Sequence, residues 1–323
     1  MRTLLYSHCA RRATVTVFLL LLTCVAQADS VRELRFEPND NKRDRVVPVK
    51  VYITSSDGVQ PIVLFSHGLG GSRENNVYLG NYWAAAGYVT VFVQHPGSDD
   101  AVWKSVPADE RMTALKNSVS VKTSRQRFND IPFVIDQLEI WNAQDGHPLR
   151  GRLDLGHIGM SGHSYGAVTT MAVAGRKYPL FPSFADNRID AFFAMSPQPA
   201  RGNRTKRFFG HLKKPTLLMT GTKDGSPINP DMQPSSRRKV FTALPAGDKY
   251  QLVLEGANHF AFGDTQSART KGRNPKHHPA IQQISLQFWN AYLKDEVAAK
   301  QWLQSMSALN TTGLSEADVW EWK

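Results

Sequence analysis

The sequence predicts an α/β protein with a mostly parallel central sheet flanked by helices on both faces. Three observations lead to this prediction: short continuous apolar runs, longer segments with helical spacing between them, and glycine-rich turns where the two meet. Strands that alternate with helices are joined by right-handed crossovers, which places the strands parallel in one sheet. No internal repeat, low-complexity tract or linker interrupts the pattern, so residues 29–323 are predicted to form a single domain.

The predicted strands differ in character along the chain. Residues 45–53 alternate between apolar and polar as an edge strand does, and Pro48 is compatible with an edge. A turn at residues 55–58 follows. The later strands are apolar runs of the kind that is buried on both faces, and they lie at residues 61–66, 88–93, 157–160, 189–195, 216–220 and 250–254.

Helical spacing appears between these runs. One helix is predicted near residues 75–86 and is ended by Gly87. Residues 95–122 show little periodicity and many polar side chains, so we expect a loop or lid there, and residues 308–323 are predicted to be a polar tail. The other predicted helices lie near residues 125–141, 167–174, 236–243 and 280–292.

The motif Gly-His-Ser-Tyr-Gly at residues 162–166 carries most of the functional information. It follows a predicted buried strand and precedes a helix of small residues. A serine on such a sharp strand-to-helix turn is held in a strained conformation with its hydroxyl exposed, and the flanking glycines avoid collisions with neighbouring backbone. Ser164 is therefore a candidate nucleophile. The alternative, a helix N-cap serine, does not explain glycines on both sides.

A serine nucleophile needs a base, and in this arrangement the chain order is serine, acid, histidine. The strand at residues 250–254 is followed by His259, which makes His259 the candidate base. His211 precedes a strand instead of following one. The pair at residues 277–278 lies in a basic, proline-containing stretch that is expected to face solvent.

The acid that orients the base is expected at the end of an earlier strand. Asp224 follows the strand at residues 216–220 and is the candidate, although an aspartate before Gly225 is also typical of a turn. Asp231 is the alternative acid.

The developing oxyanion needs two backbone N–H donors. One is expected from Tyr165, the residue after the nucleophile, and the other from Leu69 in the glycine-rich loop at residues 66–72. An ordinary glycine-rich turn is the alternative interpretation of this loop. The side chains of His67, Trp103 and Phe260 are expected to contact the substrate.

These residues resemble the α/β-hydrolase superfamily. More narrowly, the chain is similar to secreted esterases related to platelet-activating-factor acetylhydrolases and dienelactone hydrolases, a neighbourhood that includes cutinase-like polyester hydrolases. The resemblance covers about residues 46–292. It implies the α/β-hydrolase fold and ester hydrolysis through an acyl-enzyme. Dienelactone hydrolases use cysteine where this chain has Ser164, and cutinase-like enzymes often carry a disulfide and an aromatic residue at the position of Leu69. The residues that carry the resemblance are Ser66-His67-Gly68-Leu69-Gly70, Gly162-His163-Ser164-Tyr165-Gly166, Asp224 and His259.

The function predicted from these motifs is that of a serine carboxylic-ester hydrolase acting on short-chain or small acyl esters. A polyester or cutin-type hydrolase and a peptidase related to prolyl oligopeptidases are the alternatives, although prolyl oligopeptidases usually carry an N-terminal propeller that this chain lacks room for. A non-catalytic binding protein on the same scaffold is disfavoured because every catalytic role has a candidate. No cofactor is predicted, and no metal site, because neither an H-x-x-x-H motif nor a cysteine cluster occurs.

The first 28 residues have the features of a signal peptide. Arginines precede an apolar run at residues 15–25, and Ala26-Gln27-Ala28 matches a cleavage site. The run is too short to span a bilayer. We therefore expect a secreted or periplasmic protein cleaved after Ala28, in preference to a lipid anchor at Cys24. Cys9 and Cys24 would both be removed, so the mature chain would contain no disulfide.

The 323-residue chain is basic, with a net charge of +11 that falls to about +8 once the three arginines of the signal peptide are removed. Such a surface favours weak adsorption to anionic surfaces such as membrane headgroups or cell-wall polyanions. No nucleic-acid-binding motif accompanies the charge, so no nucleic-acid partner is expected. The partner is predicted to be a small-molecule or polymeric ester, and the protein is predicted to be a monomer.

Overall fold

The computed structural model describes residues 30–179, 181–264 and 273–323. The proposed signal peptide, with Cys9, Cys24 and the cleavage site after Ala28, lies outside the described residues and stays a prediction. Within the described ranges, no helix is long and apolar enough to cross a membrane.

The strands define a large, mostly parallel sheet. In chain order they are β1 (Val31–Phe36), β2 (Asn39–Asp40), β3 (Arg45–Val46), β4 (Val49–Thr54), β5 (Gln60–Ser66), β6 (Val89–Val93), β7 (Leu153–His163), β8 (Ile189–Met195), β9 (Thr216–Lys223), β10 (Lys249–Asn258) and β11 (Val319–Trp322). The main sheet has the order β1-β4-β6-β5-β7-β8-β9-β10-β11, and β2 pairs with β3 separately. The strands from β6 to β10 in this order run parallel, whereas β1, β4 and β11 pair antiparallel with their neighbours.

Helices cover both faces of the sheet. They are α1 (Val77–Ala85), α2 (Ala101–Lys104), α3 (Arg111–Ser118), α4 (Val121–Ala143), α5 (Tyr165–Val173), α6 (Thr205–Phe209), α7 (Lys239–Ala243), α8 (His277–Leu293), α9 (Val297–Leu303) and α10 (Ser307–Asn310). Helices α1, α8 and α9 pack on one face, where the fully buried Trp83 and Trp289 meet edge to face at 5.8 Å. Helices α4 to α7 pack on the other face. Each large apolar side chain buried in these layers contributes about 1.5–3 kcal/mol to stability.

The parallel order places the ends of five strands along one edge of the sheet. Ser66, Ser164, Ser196, Asp224 and His259 lie at or just beyond the carboxyl ends of β5, β7, β8, β9 and β10. Because adjacent parallel strands end on the same side, residues far apart in sequence meet there. The predicted fold class, α/β with a mostly parallel sheet and helices on both faces, is confirmed.

The predicted edge strand at residues 45–53 is wrong in its position. Strand β4 begins at Val49, all six of its residues are buried, and it lies between β1 and β6. The strand at this edge of the sheet is β1, which mixes the charged residues Arg32, Glu33 and Arg35 with apolar ones. Pro48 lies just before β4, where its missing N–H removes no hydrogen bond from the ladder.

Two predicted irregular segments contain regular structure. Residues 95–122 include α2 and α3, although most of their side chains are at least partly exposed. The predicted polar tail at residues 308–323 is wrong, because it contains part of α10 and the strand β11. In β11, Trp320 is buried and stacks on Tyr250 at 5.8 Å, so two aromatic side chains outweigh the polar residues that precede them.

Candidate active site

Ser164 lies between β7 and α5 in a conformation that few side chains adopt. Its backbone angles are φ 57° and ψ −112°, and its N–H donates to the carbonyl of Met195 on the neighbouring strand at 3.0 Å. A positive φ at a non-glycine residue is strained and persists only where the surroundings enforce it. The elbow predicted from the sequence is therefore present in the backbone.

The two glycines of the motif are required by close backbone packing. A side chain at Gly166 would place its Cβ 1.8 Å from the carbonyl oxygen of Ser66, at the end of β5. A Cβ at Gly162 would lie 2.5 Å from the backbone of Gly166. No rearrangement of flexible side chains could relieve these contacts, because the atoms involved belong to the main chain. The tight turn also brings the start of α5 against β5.

The structure brings Ser164, His259 and Asp224 together in one hydrogen-bonded chain. The Ser164 Oγ lies 2.8 Å from His259 Nε2, and His259 Nδ1 lies 2.7 Å from Asp224 Oδ1. Since an ionised carboxylate can only accept, Nδ1 carries the ring proton and donates it to Asp224. Nε2 is then free to accept the hydrogen bond from the serine hydroxyl, which is the orientation that a general base requires.

Asp224 is buried and held in its ionised form. Burial alone would raise the pKa of the Asp224 carboxyl, but the hydrogen bond from His259 and the charge of Arg237 outweigh it and lower the pKa. Thr220 Oγ1 donates a further hydrogen bond to Asp224 Oδ2 at 2.9 Å. The alternative acid, Asp231, is exposed and makes no ion pair in the described part of the chain.

The loop after β5 lies directly against the serine. A Cβ built on Gly68 would be 3.5 Å from the Cβ of Ser164, so the next residue, Leu69, is close to the nucleophile. In the described ranges, neither the Leu69 N–H nor the Tyr165 N–H donates to a backbone carbonyl. The Gly70 N–H donates to the Ser98 carbonyl at 2.8 Å, which fixes the far side of the loop.

The prediction that His67 contacts substrate is wrong. His67 is 1 % exposed, and both ring nitrogens are engaged by the backbone. Nδ1 lies 2.6 Å from the carbonyl oxygen of Gly68, and Nε2 accepts from the His95 N–H at 3.1 Å. Burial and the charge of Arg127 lower the pKa of His67 well below its ordinary value, so the ring is neutral. His67 therefore links the backbone of the loop, at Gly68, to the backbone of His95.

Trp103 and Phe260 lie at the rim. The Trp103 Nε1 donates to the carbonyl of Gly70 at 2.7 Å, so α2 is attached to the loop that carries Leu69. The Phe260 ring is 5.8 Å from that of His259 at nearly a right angle. Both side chains are half-buried and remain candidates for contact with the substrate.

A buried polar network beneath the loop was missed in the sequence. Ser66, His95, Arg127 and Asp130 are all fully buried. His95 lies 2.9 Å from both Ser66 Oγ and Asp130 Oδ2, and Arg127 donates to Ser66 Oγ at 2.8 Å. Burial, together with the charge of Arg127, lowers the pKa of His95 to about 3 despite Asp130. The sequence contains a sign of this network, because Arg127 and Asp130 lie among the apolar residues of the inward face of α4 and are therefore expected to be buried.

Arg237 was also missed. It lies in the short 3-10 helix Pro234–Arg238, is fully buried, and has its Nε 3.0 Å from Asp224 Oδ1. The segment around it has no periodicity, so nothing in the sequence indicated that this arginine faces inward.

His277 and His278 are less exposed to solvent than the sequence predicted. His277 is 2 % exposed at the start of α8, and His278 stacks on Tyr78 at 3.9 Å, so the prediction that both face solvent is wrong. His211 lies 2.9 Å from the carbonyl oxygen of Gly175. Over the described residues, no group of three or more histidine, cysteine or acidic side chains is placed to hold a metal ion.

Comparisons with known proteins bear on the fold and on one segment of the chain. The family model for platelet-activating factor acetylhydrolase, isoform II, matches residues 47–137, a segment that contains the loop with Leu69 but ends before Ser164. Among solved structures, a ferulic acid esterase from Streptomyces cinnamoneus matches with a TM-score of 0.61 and 18% identity, covering 84% of this chain and 92% of that chain. No curated protein matches the chain.

The fold is thus the α/β-hydrolase fold. Residues 47–137 are similar to the platelet-activating-factor-acetylhydrolase family. This is the resemblance predicted from the sequence.

Proposed function

We propose that the protein is a serine carboxylic-ester hydrolase that works through an acyl-enzyme. The observation that carries the proposal is the chain of contacts from Ser164 Oγ to His259 Nε2 at 2.8 Å and from His259 Nδ1 to Asp224 at 2.7 Å. In this proposal Ser164 is the nucleophile, His259 the general base and acid, and Asp224 the group that orients the ring.

The reaction follows from these positions. Ser164 Oγ attacks the ester carbonyl while His259 Nε2 takes the hydroxyl proton. The N–H groups of Leu69 and Tyr165 hold the resulting oxyanion. The tetrahedral species collapses, the alcohol leaves with the proton from His259, and the acyl group stays on Ser164. Water then attacks the acyl-enzyme with His259 as base, and the carboxylic acid and the free serine are released.

We propose short acyl groups, of about two to four carbons, as the preferred substrates. Support comes from the family resemblance and from the segment that overlies the loop, residues 95–122. The helix α3 in this segment has no fully buried residue, and its charged side chains face solvent, including Arg111 and Lys116. An interfacial lid would instead need a continuous apolar face. Amides are expected to react poorly because an amine is a poorer leaving group than an alcohol and cannot be expelled without a proton.

A chain-length series of p-nitrophenyl esters tests the proposal. We expect the acetate and butyrate to be cleaved much faster than the sixteen-carbon ester, and a fluorophosphonate probe to label Ser164 in the intact protein. Equal or faster turnover of the long ester in a detergent dispersion would indicate a lipase. Cleavage of a proline-containing peptide at a comparable rate would indicate a peptidase, and release of soluble fragments from a polyester film would indicate a polyester hydrolase.

We also propose that the protein is secreted or periplasmic, is a monomer, and adsorbs weakly to anionic surfaces. The first expectation depends on the signal-peptide features of the sequence, and the last on the net charge of about +8 that remains once the signal peptide is removed. Adsorption should weaken as salt is added, whereas hydrolysis of small soluble esters should not change. Sedimentation with anionic and with neutral vesicles at two salt concentrations measures this.

A further inference from the structure

Helix α1 receives its N-terminal cap from a distant part of the chain. The N-cap residue of α1, Asn76, makes no capping hydrogen bond with its own side chain. Both carboxylate oxygens of Asp264 accept from this turn instead: the Asn76 N–H donates to Oδ1 at 3.0 Å, and the Val77 N–H donates to Oδ2 at 2.5 Å. The first N–H groups of a helix carry partial positive charge and lack partners within the helix, so a carboxylate stabilises them. Asp264 therefore ties two segments that lie 188 residues apart.

The side chain of Asn76 makes a second link between the same segments. Its Nδ2 donates to the carbonyl of Phe262 at 2.7 Å. Asn76 is 4 % exposed and has φ 59° and ψ 37°, in the left-handed region that few side chains adopt. Such a conformation persists only where the surroundings enforce it. Main chain and side chain of one residue thus both contact the segment that contains Phe262 and Asp264.

That segment carries the candidate base. The 3-10 helix His259–Phe262 begins with the base, and three consecutive carbonyls of this helix accept hydrogen bonds from side chains outside it. The donors are Arg273 Nη2 for Phe260 at 2.9 Å, His278 Nε2 for Ala261 at 3.0 Å, and Asn76 Nδ2 and Tyr78 Oη for Phe262 at 2.7 Å and 3.0 Å. The turn with the base is therefore held by residues at or just before the starts of α1 and α8.

The other segment is the loop with Leu69. This loop runs from the end of β5 to Asn76, and within it the Ser72 N–H donates to Asn75 Oδ1 at 2.6 Å. Leu69 and Asn76 are only seven positions apart. Because the loop is short and internally hydrogen-bonded, a displacement of Asn76 also displaces Leu69. The contacts with Asp264 and Phe262 therefore fix one end of the loop against the turn with the base.

We propose that Asp264 and Asn76 are positioning residues, which fix the oxyanion donor Leu69 relative to the base His259. This inference rests on the proposed function, because both groups act on the same transition state. Proton transfer needs His259 within hydrogen-bonding distance of Ser164, and the Leu69 N–H must point at the oxyanion that forms there. A link that sets the separation of these two groups acts on the rate of the chemical step, and not on the first binding of the ester.

The first test removes the carboxylate. Asp264→Ala should lower kcat for p-nitrophenyl acetate by about 10²-fold, the cost of a small misplacement of reacting groups, and should change KM little. Asp264→Asn should lose less, because its amide oxygen can still accept from one of the two N–H groups. Rates are expressed per active site, counted by end-point titration with a fluorophosphonate. A merely structural role would reduce the number of sites and leave the rate at each site unchanged.

The second test removes only the side-chain link. In Asn76→Gly, glycine adopts the φ of 59° without strain and keeps the N–H that donates to Asp264, so the bond to the Phe262 carbonyl is the one lost. We expect kcat per site to fall by about three- to tenfold, which is the contribution of a single hydrogen bond, and KM to stay the same.

Asp190→Ala serves as the matched control. The Asp190 carboxylate also accepts from a main-chain N–H of another segment, that of Ile158 at 3.1 Å. It lies near the start of β8, at the end of the sheet opposite the nucleophile. Its removal should lower the thermal midpoint and leave kcat per site at the wild-type value.

The outcomes separate the two proposals. If the wild-type protein hydrolyses no ester, or if Ser164→Ala retains activity, the proposed function fails. If the wild type is active through Ser164 but Asp264→Ala or Asn76→Gly keeps the wild-type kcat per site, the inference about that residue is overturned. A rise in KM in place of the fall in kcat, or an equal loss in Asp190→Ala, overturns it as well. If Asp264→Ala does not fold, Asp264→Asn and Asn76→Gly decide the question, and if none of the three folds the inference is rejected.

Discussion

The guanidinium of Arg127 lies 4.5 Å from the ring centroid of Tyr165 and at the same time donates to the carbonyl of His67 at 2.5 Å. One buried cation in α4 thus contacts both segments that are proposed to bind the oxyanion. Tyr165 belongs to the helix after the nucleophile, and His67 lies in the loop with Leu69. The two donors come from distant parts of the chain, and Arg127 fixes their separation.

Arg127→Lys should lower kcat for p-nitrophenyl acetate by up to about 10²-fold, the lower end of what the loss of one oxyanion donor costs. The lysine keeps the charge but cannot contact both segments at once. KM should change little, and binding of a phenylboronic acid, which forms a tetrahedral adduct on Ser164, should weaken in parallel with kcat. An equal loss of affinity for a planar product acid would show that the whole pocket has changed and would contradict a specific effect on the oxyanion donors.

Ser164→Ala and Ser164→Gly should both abolish ester hydrolysis, because each removes the attacking oxygen, and triad deletions cost about 10⁴–10⁶ in turnover. They should differ in stability. Glycine accepts the φ of 57° without strain, whereas alanine does not, so the glycine variant should be more stable by about 1–3 kcal/mol. Urea unfolding of the two variants measures the difference. A Ser164→Ala protein with more than a tenth of wild-type activity would contradict the proposed mechanism.

Asp224→Asn should leave the protein folded and lower kcat by about 10⁴-fold, since an amide does not hold the productive tautomer of His259. Asp231→Asn is the matched control, because Asp231 is exposed seven residues further along the same segment. We expect wild-type rates for that control. The reverse result, with Asp231→Asn damaging and Asp224→Asn mild, would show that the acid has been assigned to the wrong residue.

Stability should fall as the pH drops below neutrality. Burial is the first cause that lowers the pKa of three histidines: to about 3 for His95 and His163, and well below its ordinary value for His67. In the unfolded chain they protonate near pH 6.5, so below that pH unfolding takes up protons, and the loss continues down to the folded pKa values. The slope for each group approaches about 1.4 kcal/mol per pH unit.

Urea unfolding at pH 7.5, 5.5 and 4.5 measures this loss. The free energy of unfolding should decrease progressively over the series, with no contribution from these three groups above pH 7.5. A midpoint that stays constant from pH 7.5 to pH 4.5 would show that the three rings are not neutral and buried in the folded protein.

The parts of the fold that sequence alone could predict are those fixed by local chemistry. A few neighbouring residues suffice to predict the turn around Ser164, because Gly162 and Gly166 flank it. The same holds for β5, which is a short continuous apolar run. The order of serine, acid and histidine then selected Ser164, Asp224 and His259, which the structure brings into contact.

The parts that sequence could not predict depend on partners distant in the chain. Strand β11 follows a polar stretch of the chain, and it pairs with the edge of β10, whose residues lie about 70 positions earlier. The sequence around Arg237 is typical of a surface segment. In the structure the guanidinium is buried because it donates to the carbonyls of Ser196 and Asp224. His67 was predicted to contact the substrate, but its ring is buried and accepts a hydrogen bond from the N–H of His95. His95 lies 28 residues further on, so the sequence around His67 does not indicate this burial.

The contact between Gly166 and Ser66 has a consequence for how related genes are interpreted. The glycine is needed because a main-chain oxygen fills the space where a side chain would begin, and this crowding is independent of whether a reaction takes place. A descendant that lost its nucleophile would still be selected to keep both glycines, since replacing either would damage the sheet. The two glycines of the pentapeptide therefore indicate a shared fold. Within the pentapeptide, it is the residue at position 164 that indicates whether a related protein kept the nucleophile.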